Sequence, residues 1–358
     1  MFFNSALRIP HYELKIMTCD ALELSLNDWE ILFSKWNEPK FRAAQVCGWI
    51  YSKKVFNYHD MTNLSKDFRT KLTESVLMTL PVLIKQQTSK DGGTKKFLWL
   101  LSDGNKIESV LLNHGGHKTA CISSQAGCPL ACTFCETGAN GFKRNLTRGE
   151  ILGQFLMMEK INAADINNIV FMGMGEPLLN EENVFSAIRV LNDKKMRNLG
   201  ARHITISTSG IVSGIEDLAN FEIPLRLSLS LHATNDELRS KLMPVNEKYP
   251  LSKLIEALKF YREKTGERIT IEYALIDRIN DDIEYAYEMA ALLDGLQPYI
   301  NLIPFNPIPS RPELKRSSQE RVKNFCRVLS ELNIEFELRK ERGTDIMAAC
   351  GQLAANSN

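Results

Sequence analysis

No apolar run in this 358-residue chain reaches the roughly 20 residues that a membrane-crossing helix needs. The opening stretch MFFNSALRIPHYELK also lacks the long apolar segment of a secretory signal. No membrane association is expected, and a cytoplasmic location is. Net charge is almost missing too: 44 Lys and Arg against 43 Asp and Glu leave +1, so no global field draws the chain to nucleic acid. Any RNA contact must rest on local basic groups. Low-complexity tracts and internal repeats are absent. What is present is 44% hydrophobic residues, enough for one large domain and a smaller one. Eight cysteines in a reducing compartment are not read as a disulfide framework. Cys19, Cys47 and Cys326 fall among helix-like apolar positions, where a thiol packs as a small hydrophobe.

Five segments follow from pattern. Residues 1–24 are an N-terminal extension without assignment, and 25–90 are helical, with LNDWEILFSKW and FRAAQVCGWIY apolar at three-and-four spacing. Residues 91–113 form a β-hairpin about the Asp103-Gly104 turn. A core of 114–350 and a tail of 351–358 complete the chain. Within the core, INNIVFMG, HITISTSG, LRLSLSLHA, RITIEYALI, YINLIPFNP and IEFELRK read as six buried parallel strands alternating with amphipathic helices. Thr147 with Glu150 is a capping box for the first of these helices. The fold class is α/β, a full or partial (β/α) barrel with its chemistry at the C-terminal strand ends.

The trio Cys128, Cys132 and Cys135 in GCPLACTFCETG has C-x3-C-x2-C spacing. Three thiolates so placed can hold three irons of a [4Fe-4S] cluster and leave the fourth iron open to the amino and carboxylate groups of S-adenosylmethionine. Half of a zinc site completed elsewhere is the alternative. The spacing resembles that of the radical S-adenosylmethionine superfamily.

Polar residues recur at the strand ends. Gly175 and Glu176 follow the first strand, where the carboxylate suits a cationic amino group, or the glycines merely turn the chain. Ser207 and its neighbours could meet a ligand or cap the next helix. Ser230, Leu231 and His232 end the third strand, and Asn306, held extended by Pro307, follows the fifth. Cys121 lies seven residues ahead of the trio and Cys350 far downstream, beside a Gly351 that favours a turn; each thiol is either reactive or inert and buried.

FRAAQVCGWIY, IESVLL, CISSQAGCPLACTFCETGANGFKRNLTRGEI, FMGMGEPLLN, ISTSGIV, SLSLHATNDELRSKLMPVN, NLIPFNP and DIMAACGQL together resemble, over about residues 25 to 353, the radical S-adenosylmethionine family that methylates adenine C2 in 23S ribosomal RNA and transfer RNA. That family implies a partial (β/α)6-type barrel, a helical N-terminal domain that engages RNA, one [4Fe-4S] cluster and two S-adenosylmethionines per turnover. It also implies an electron donor such as flavodoxin or ferredoxin, and a monomer. By the same matching, Cys350 carries the methyl group, Cys121 resolves the covalent RNA adduct through a transient disulfide, and Glu108 in KIESV is the proton acceptor, with Cys121 its rival. Gly175, Glu176, Ser207, Ser230, Leu231, His232 and Asn306 would line the S-adenosylmethionine site. The chemistry agrees, because C2 is an electron-poor amidine carbon that cannot attack a sulfonium methyl.

Basic groups at Lys53 and Lys54, Lys143, Arg144 and Arg148, Lys194, Lys195 and Arg197, and Arg339, Lys340 and Arg342 are candidate phosphate contacts, or simply a solvated face. Glu136, Met347 and Leu314 depart from the family pattern. A C8-specific relative, an iron-sulfur RNA-binding regulator without turnover and a radical activase acting on protein are the competing readings.

Overall fold

Ten strands join in strict chain order into one sheet: β1 (Val82–Thr88), β2 (Thr94–Leu100), β3 (Lys106–His114), β4 (His117–Cys121), β5 (Asn168–Phe171), β6 (Ile204–Thr208), β7 (Arg226–Ser230), β8 (Thr270–Leu275), β9 (Tyr299–Pro304) and β10 (Phe336–Leu338). The computed structural model describes residues 19–355; the rest of the extension, 1–18, and the tail residues 356–358 lie outside the described residues. β1 to β4 pair antiparallel, whereas β4 to β10 run parallel. Helices make the parallel crossovers, as parallel pairing requires. They are Arg148–Asn162, Glu181–Asn192, Val212–Asn220, the pair Asp236–Leu242 and Leu251–Thr265, Ile283–Leu292 and Gln319–Glu331.

Seven parallel strands are therefore present where six were expected. The additional one is β4, whose sequence HKTAC has mostly half-exposed positions and no apolar run to mark it. Six βα units and a closing strand give a partial barrel, open between β10 and the antiparallel β1–β3 extension. The strand residues that face the helices are fully buried, among them Ile169, Ile206, Leu227, Leu229, Ile271 and Leu302, while the alternate positions Ser207, Ser230 and Glu272 face the barrel interior.

Local chemistry sets the helix starts. Thr147 accepts from the Glu150 N–H while the Glu150 carboxylate accepts from the Thr147 N–H at 3.0 Å, so the expected capping box forms. Ser25 and Asp28 repeat the device at helix Leu26–Lys35. With helices Phe41–Cys47 and Lys66–Ser75 it buries Trp29, Phe33 and Phe68 in one aromatic cluster.

Residues 19–24 are built into this unit. Cys19–Asp20 pairs with Val76–Leu77, and Leu22 is buried. Glu23 accepts from the Gly149 N–H at 2.7 Å. Cys19 is thus a strand residue and not a helical one, while Cys47 is buried on a helix and Cys326 half-buried on another. β1 lies within the stretch read as helical; its outward pattern, seldom fully buried, hid it.

Candidate active site

The ends of β5 to β9 and the Cys128–Cys135 loop enclose a cavity of about 1080 Å³ including its mouth, room for a nucleoside-sized ligand. Cys128, Cys132, Cys135, Gly175, Glu176, Ser207, Ser230, His232, Asn306 and Cys350 all line it. Leu231, Cys121 and Glu108 do not.

The cysteine loop is closed by a short ladder between Gln125–Gly127 and Phe142–Asn145. Cys128 N–H donates to the Gly141 carbonyl at 3.1 Å, and Thr133 N–H to that of Leu242 at 2.9 Å. Gly127 has φ +80°, and a Cβ there would lie 1.9 Å from the Gly141 oxygen, so only glycine fits. Burial pushes the Cys128 thiol up to about 12 and raises that of Cys132 as well; the charge of Cys135 adds to both. Such a trio becomes thiolate when cationic iron offsets the desolvation. Among the described residues, no three His, Cys, Asp or Glu side chains converge on a single-ion site. Three cysteine thiolates and no protein ligand for a fourth iron are the donor set of a [4Fe-4S] cluster that leaves one iron open.

The glycines after β5 serve the protein first. A Cβ on Gly175 would meet the Gln125 side chain at 2.4 Å, and one on Gly173 the Ile122 backbone at 2.6 Å. Glu176 accepts from the Ser209 N–H at 2.8 Å and the Leu178 N–H at 3.2 Å. Burial nevertheless raises its carboxyl to about 6. Thr208 Oγ accepts from the Gly210 N–H, so capping of the turn falls to Thr208, leaving Ser207 on the cavity wall.

His232 adopts φ +53°, and its Nδ1 accepts from the Ala274 N–H at 2.9 Å. Burial lowers its pKa to about 3, so the ring is neutral with its proton on Nε2. Phe134 of the cysteine loop packs edge-on against it at 4.6 Å.

Cys350 is exposed to the cavity on a turn at Gly351 (φ +82°), and burial within the surrounding protein pushes its thiol up to about 11. Gly351 carbonyl accepts from the Glu136 N–H at 2.7 Å, and Cys350 carbonyl from Asn306 Nδ2 at 3.2 Å. The Glu136 carboxylate accepts from Ser310 Oγ at 2.8 Å, so this departure from the family pattern ties the cluster loop to the segment after β9. Burial raises the Cys121 thiol, and the charge of Cys350 raises it further; Cys121 ends β4, opposite Val110 of β3 and Val170 of β5. All eight cysteines are free.

Three residues were not picked from the sequence. Gln125 Oε1 accepts from the Glu176 N–H at 2.9 Å. Arg239, fully buried, donates to the carbonyls of Ser209, Ser230 and Leu231, which explains how Leu231 shapes the rim through its backbone while its side chain packs in the core. Glu272 lines the cavity with Oε1 accepting from Ser228 Oγ and Asn301 Nδ2, both at 2.9 Å. A charged residue inside the buried strand RITIEYALI was the available signal.

Among the candidate phosphate contacts, Lys53, Lys54, Arg144, Arg148 and Arg197 have partners within the chain. Arg144 binds Asp103 and both oxygens of Glu150. Arg148 is buried and donates to the Leu22 carbonyl and Ser186 Oγ. Lys54 and Arg197 both pair with Glu159. Lys53 lies 3.6 Å from the centre of the Trp49 ring. Of their partners, Asp103, Leu22, Ser186 and Glu159 stand at least 38 positions from the cation along the chain, where a charge pattern does not reveal them.

The model of the radical SAM superfamily matches residues 122–290, and that of the ribosomal RNA large subunit methyltransferase N-terminal domain matches residues 19–78. The chain is 49% identical to the probable dual-specificity RNA methyltransferase RlmN of Thermotoga neapolitana over 93% of its length and 97% of the relative's. With the protein of the same description from Thermosipho melanesiensis it shares 50% over 93% and 98%. A crystal structure of a radical SAM methyltransferase from Sphaerobacter thermophilus superposes with TM-score 0.91 at 40% identity, covering 94% of this chain and all of that one. With the cysteine trio, the barrel mouth and the N-terminal helices all matched, the chain belongs to the RlmN family of radical SAM dual-specificity RNA methyltransferases.

Proposed function

We propose that this enzyme transfers a methyl group to C2 of an adenosine in 23S ribosomal RNA, at the peptidyl-transferase centre, and in transfer RNA, next to the anticodon. The observation that carries the reading is the second pair of thiols: Cys350 lines the cavity beside the cysteine trio, and Cys121 ends β4 paired with Val170, next to the cavity-lining Phe171. A radical enzyme that only removed hydrogen would need neither.

Cys128, Cys132 and Cys135 would hold the [4Fe-4S] cluster, and Gly175, Glu176, Ser207, Ser230, His232 and Asn306 would bind S-adenosylmethionine, with Leu231 acting through its backbone. Bound, these cofactors supply a methyl group and a carbon-centred radical, two S-adenosylmethionines being consumed per turnover. Cys350 takes the methyl group as a thioether and later bridges enzyme and base through its former methyl carbon. Cys121 then attacks the Cys350 sulfur; an S–S bond forms, the S–C bond breaks and its electron pair stays with the carbon on the base. Of the two candidates for the C2 proton, Cys121 is favoured over Glu108, since both Glu108 oxygens are engaged away from the cavity. A base paired within folded RNA must be flipped out to enter.

The reaction requires a one-electron donor of the flavodoxin or ferredoxin type. Ribosomal and transfer RNA substrates place it in the cytoplasm, where it would act as a monomer. Among the described residues no helix is long and apolar enough to cross a membrane, in keeping with that placement.

Position-resolved mass mapping of adenosines in treated RNA tests the product, and a methyl at C8 alone refutes the assignment. The Cys350→Ala enzyme should keep its cluster and lose methylation by at least a thousandfold. Cys350 of the native enzyme should carry a mass increment of about 14 Da, one methyl in place of hydrogen.

A further inference from the structure

Lys96 on β2 and Glu108 on β3 form a buried ion pair at 3.1 Å, with only 8% and 3% of each residue exposed. Neither lines the cavity. A buried pair loses so much hydration that it adds little stability by itself, so its remaining bonds reveal its use. Lys96 Nζ donates to the Met347 carbonyl at 3.2 Å, and Glu108 Oε2 accepts from the Ala354 N–H at 2.9 Å. Those two backbone groups stand three residues before and four residues after Cys350.

We infer that the Lys96–Glu108 pair is a positioning device that pins both ends of the strap 347–354 and so holds Cys350 over Cys121 as well as over the cavity. The strap turns sharply between its pins, with Met347 at φ +53° and Gly351 at φ +82°. Its tip is bound to the cluster loop, through Glu136 N–H to the Gly351 carbonyl and Thr137 Oγ to the Leu353 carbonyl, and to the segment after β9, through Asn306 to the Cys350 carbonyl and Gln352 Nε2 to the Pro307 carbonyl. The pins act from the opposite side. Glu108 lies two residues before Val110, the β3 partner of Cys121 on β4, so pins and resolving thiol share one patch of sheet. Cut the pins, and the strap is left held only by the cluster loop and the segment after β9, with nothing tying it to the sheet that carries Cys121. Both carboxylate oxygens of Glu108 are thereby accounted for without a proton-transfer role.

This inference rests on the reading of Cys121 as the partner of Cys350, and the test separates the two. Anaerobic holoenzyme, reconstituted from protein produced without iron and shown by mass to carry unmethylated Cys350, is treated with diamide, which takes up the two thiol hydrogens as the Cys121–Cys350 disulfide forms, and the bond is followed by peptide mass mapping. Hydrogen exchange over 347–354 is measured in parallel. In Lys96→Met and Glu108→Gln the disulfide should form at least tenfold more slowly and the strap amides exchange at least tenfold faster, with an unchanged cluster absorption spectrum. Lys96→Arg, which keeps charge and donors, should stay within threefold of native. Native rates and native exchange in both neutral variants would overturn the positioning role. Failure of the native enzyme to form this disulfide would instead sink the pairing of Cys121 with Cys350, and strap exchange alone would then decide the role of the pins.

Discussion

A carboxyl deprived of water resists ionisation, and Glu176 makes that visible in two opposite pH dependences. Burial lifts its pKa from an ordinary 4.5 to about 6 against the pull of the Ser209 and Leu178 N–H groups. The folded state then holds the proton more tightly than the unfolded chain. Stability from this group is accordingly present at low pH and lost as pH rises from 4.5 through 6. Binding of the cationic amino group of S-adenosylmethionine runs the other way, because it wants the carboxylate. Its affinity should climb as pH passes upward through about 6, and Glu176→Gln should flatten that rise while weakening binding about tenfold at pH 8. Calorimetric titration across pH 5 to 8 reads both; an identical pH slope in the variant would show that Glu176 does not contact the cofactor. His232, neutral with a pKa near 3, adds no competing titration in this window.

At the scale of elements, the tightest constraint is the ladder beneath the cysteine loop. Gly127→Ala would need a left-handed alanine and a Cβ 1.9 Å from the Gly141 oxygen, so the ladder must open. Iron and sulfide content should fall several-fold while far-ultraviolet circular dichroism stays native; full cluster occupancy in this variant would mean that the loop tolerates an open ladder. The same element shows why some features were legible in the sequence and others were not. Cys128, Cys132 and Cys135 are local in the chain, and β5 to β9 announce themselves as apolar runs bounded by glycine and polar turns. β4 escaped because HKTAC has no such run, although it opens the parallel series. The strap's pins were equally hidden, since Lys96 and Met347 stand 251 positions apart and only the folded chain joins them. Arg197, read as a phosphate contact or part of a solvated face, hid its partner in the same way, since Glu159 stands 38 positions earlier.

Over the whole molecule, the N-terminal helices and the barrel share one polar junction, and Glu159 is its centre. Its side chain is fully buried on helix Arg148–Asn162. It accepts from the Ile166 N–H at 2.8 Å, just before β5, and from Arg197 Nε at 3.0 Å, in the loop before β6. Lys54, from the N-terminal helical region, completes it at 3.7 Å. Arg197 and Lys54 keep only 12% and 17% of their side chains exposed, so neither can recover full hydration if the carboxylate is removed. Glu159→Ala should therefore destabilise the protein by about 3–5 kcal/mol, the range for breaking one side of a buried ion pair. The control is Arg189–Glu222, a bidentate pair whose side chains are more than half exposed, where Glu222→Ala should change stability by less than about 1 kcal/mol. Urea unfolding distinguishes the two through the midpoint at constant slope. If both variants unfold alike, water reaches the Glu159 junction and the N-terminal unit is held to the barrel by its apolar packing and by contacts such as Glu23 to the Gly149 N–H. If only Glu159→Ala shifts, the junction that joins the N-terminal helices to the barrel is electrostatic, and Lys54 and Arg197, candidate phosphate contacts by sequence, serve to hold the enzyme together.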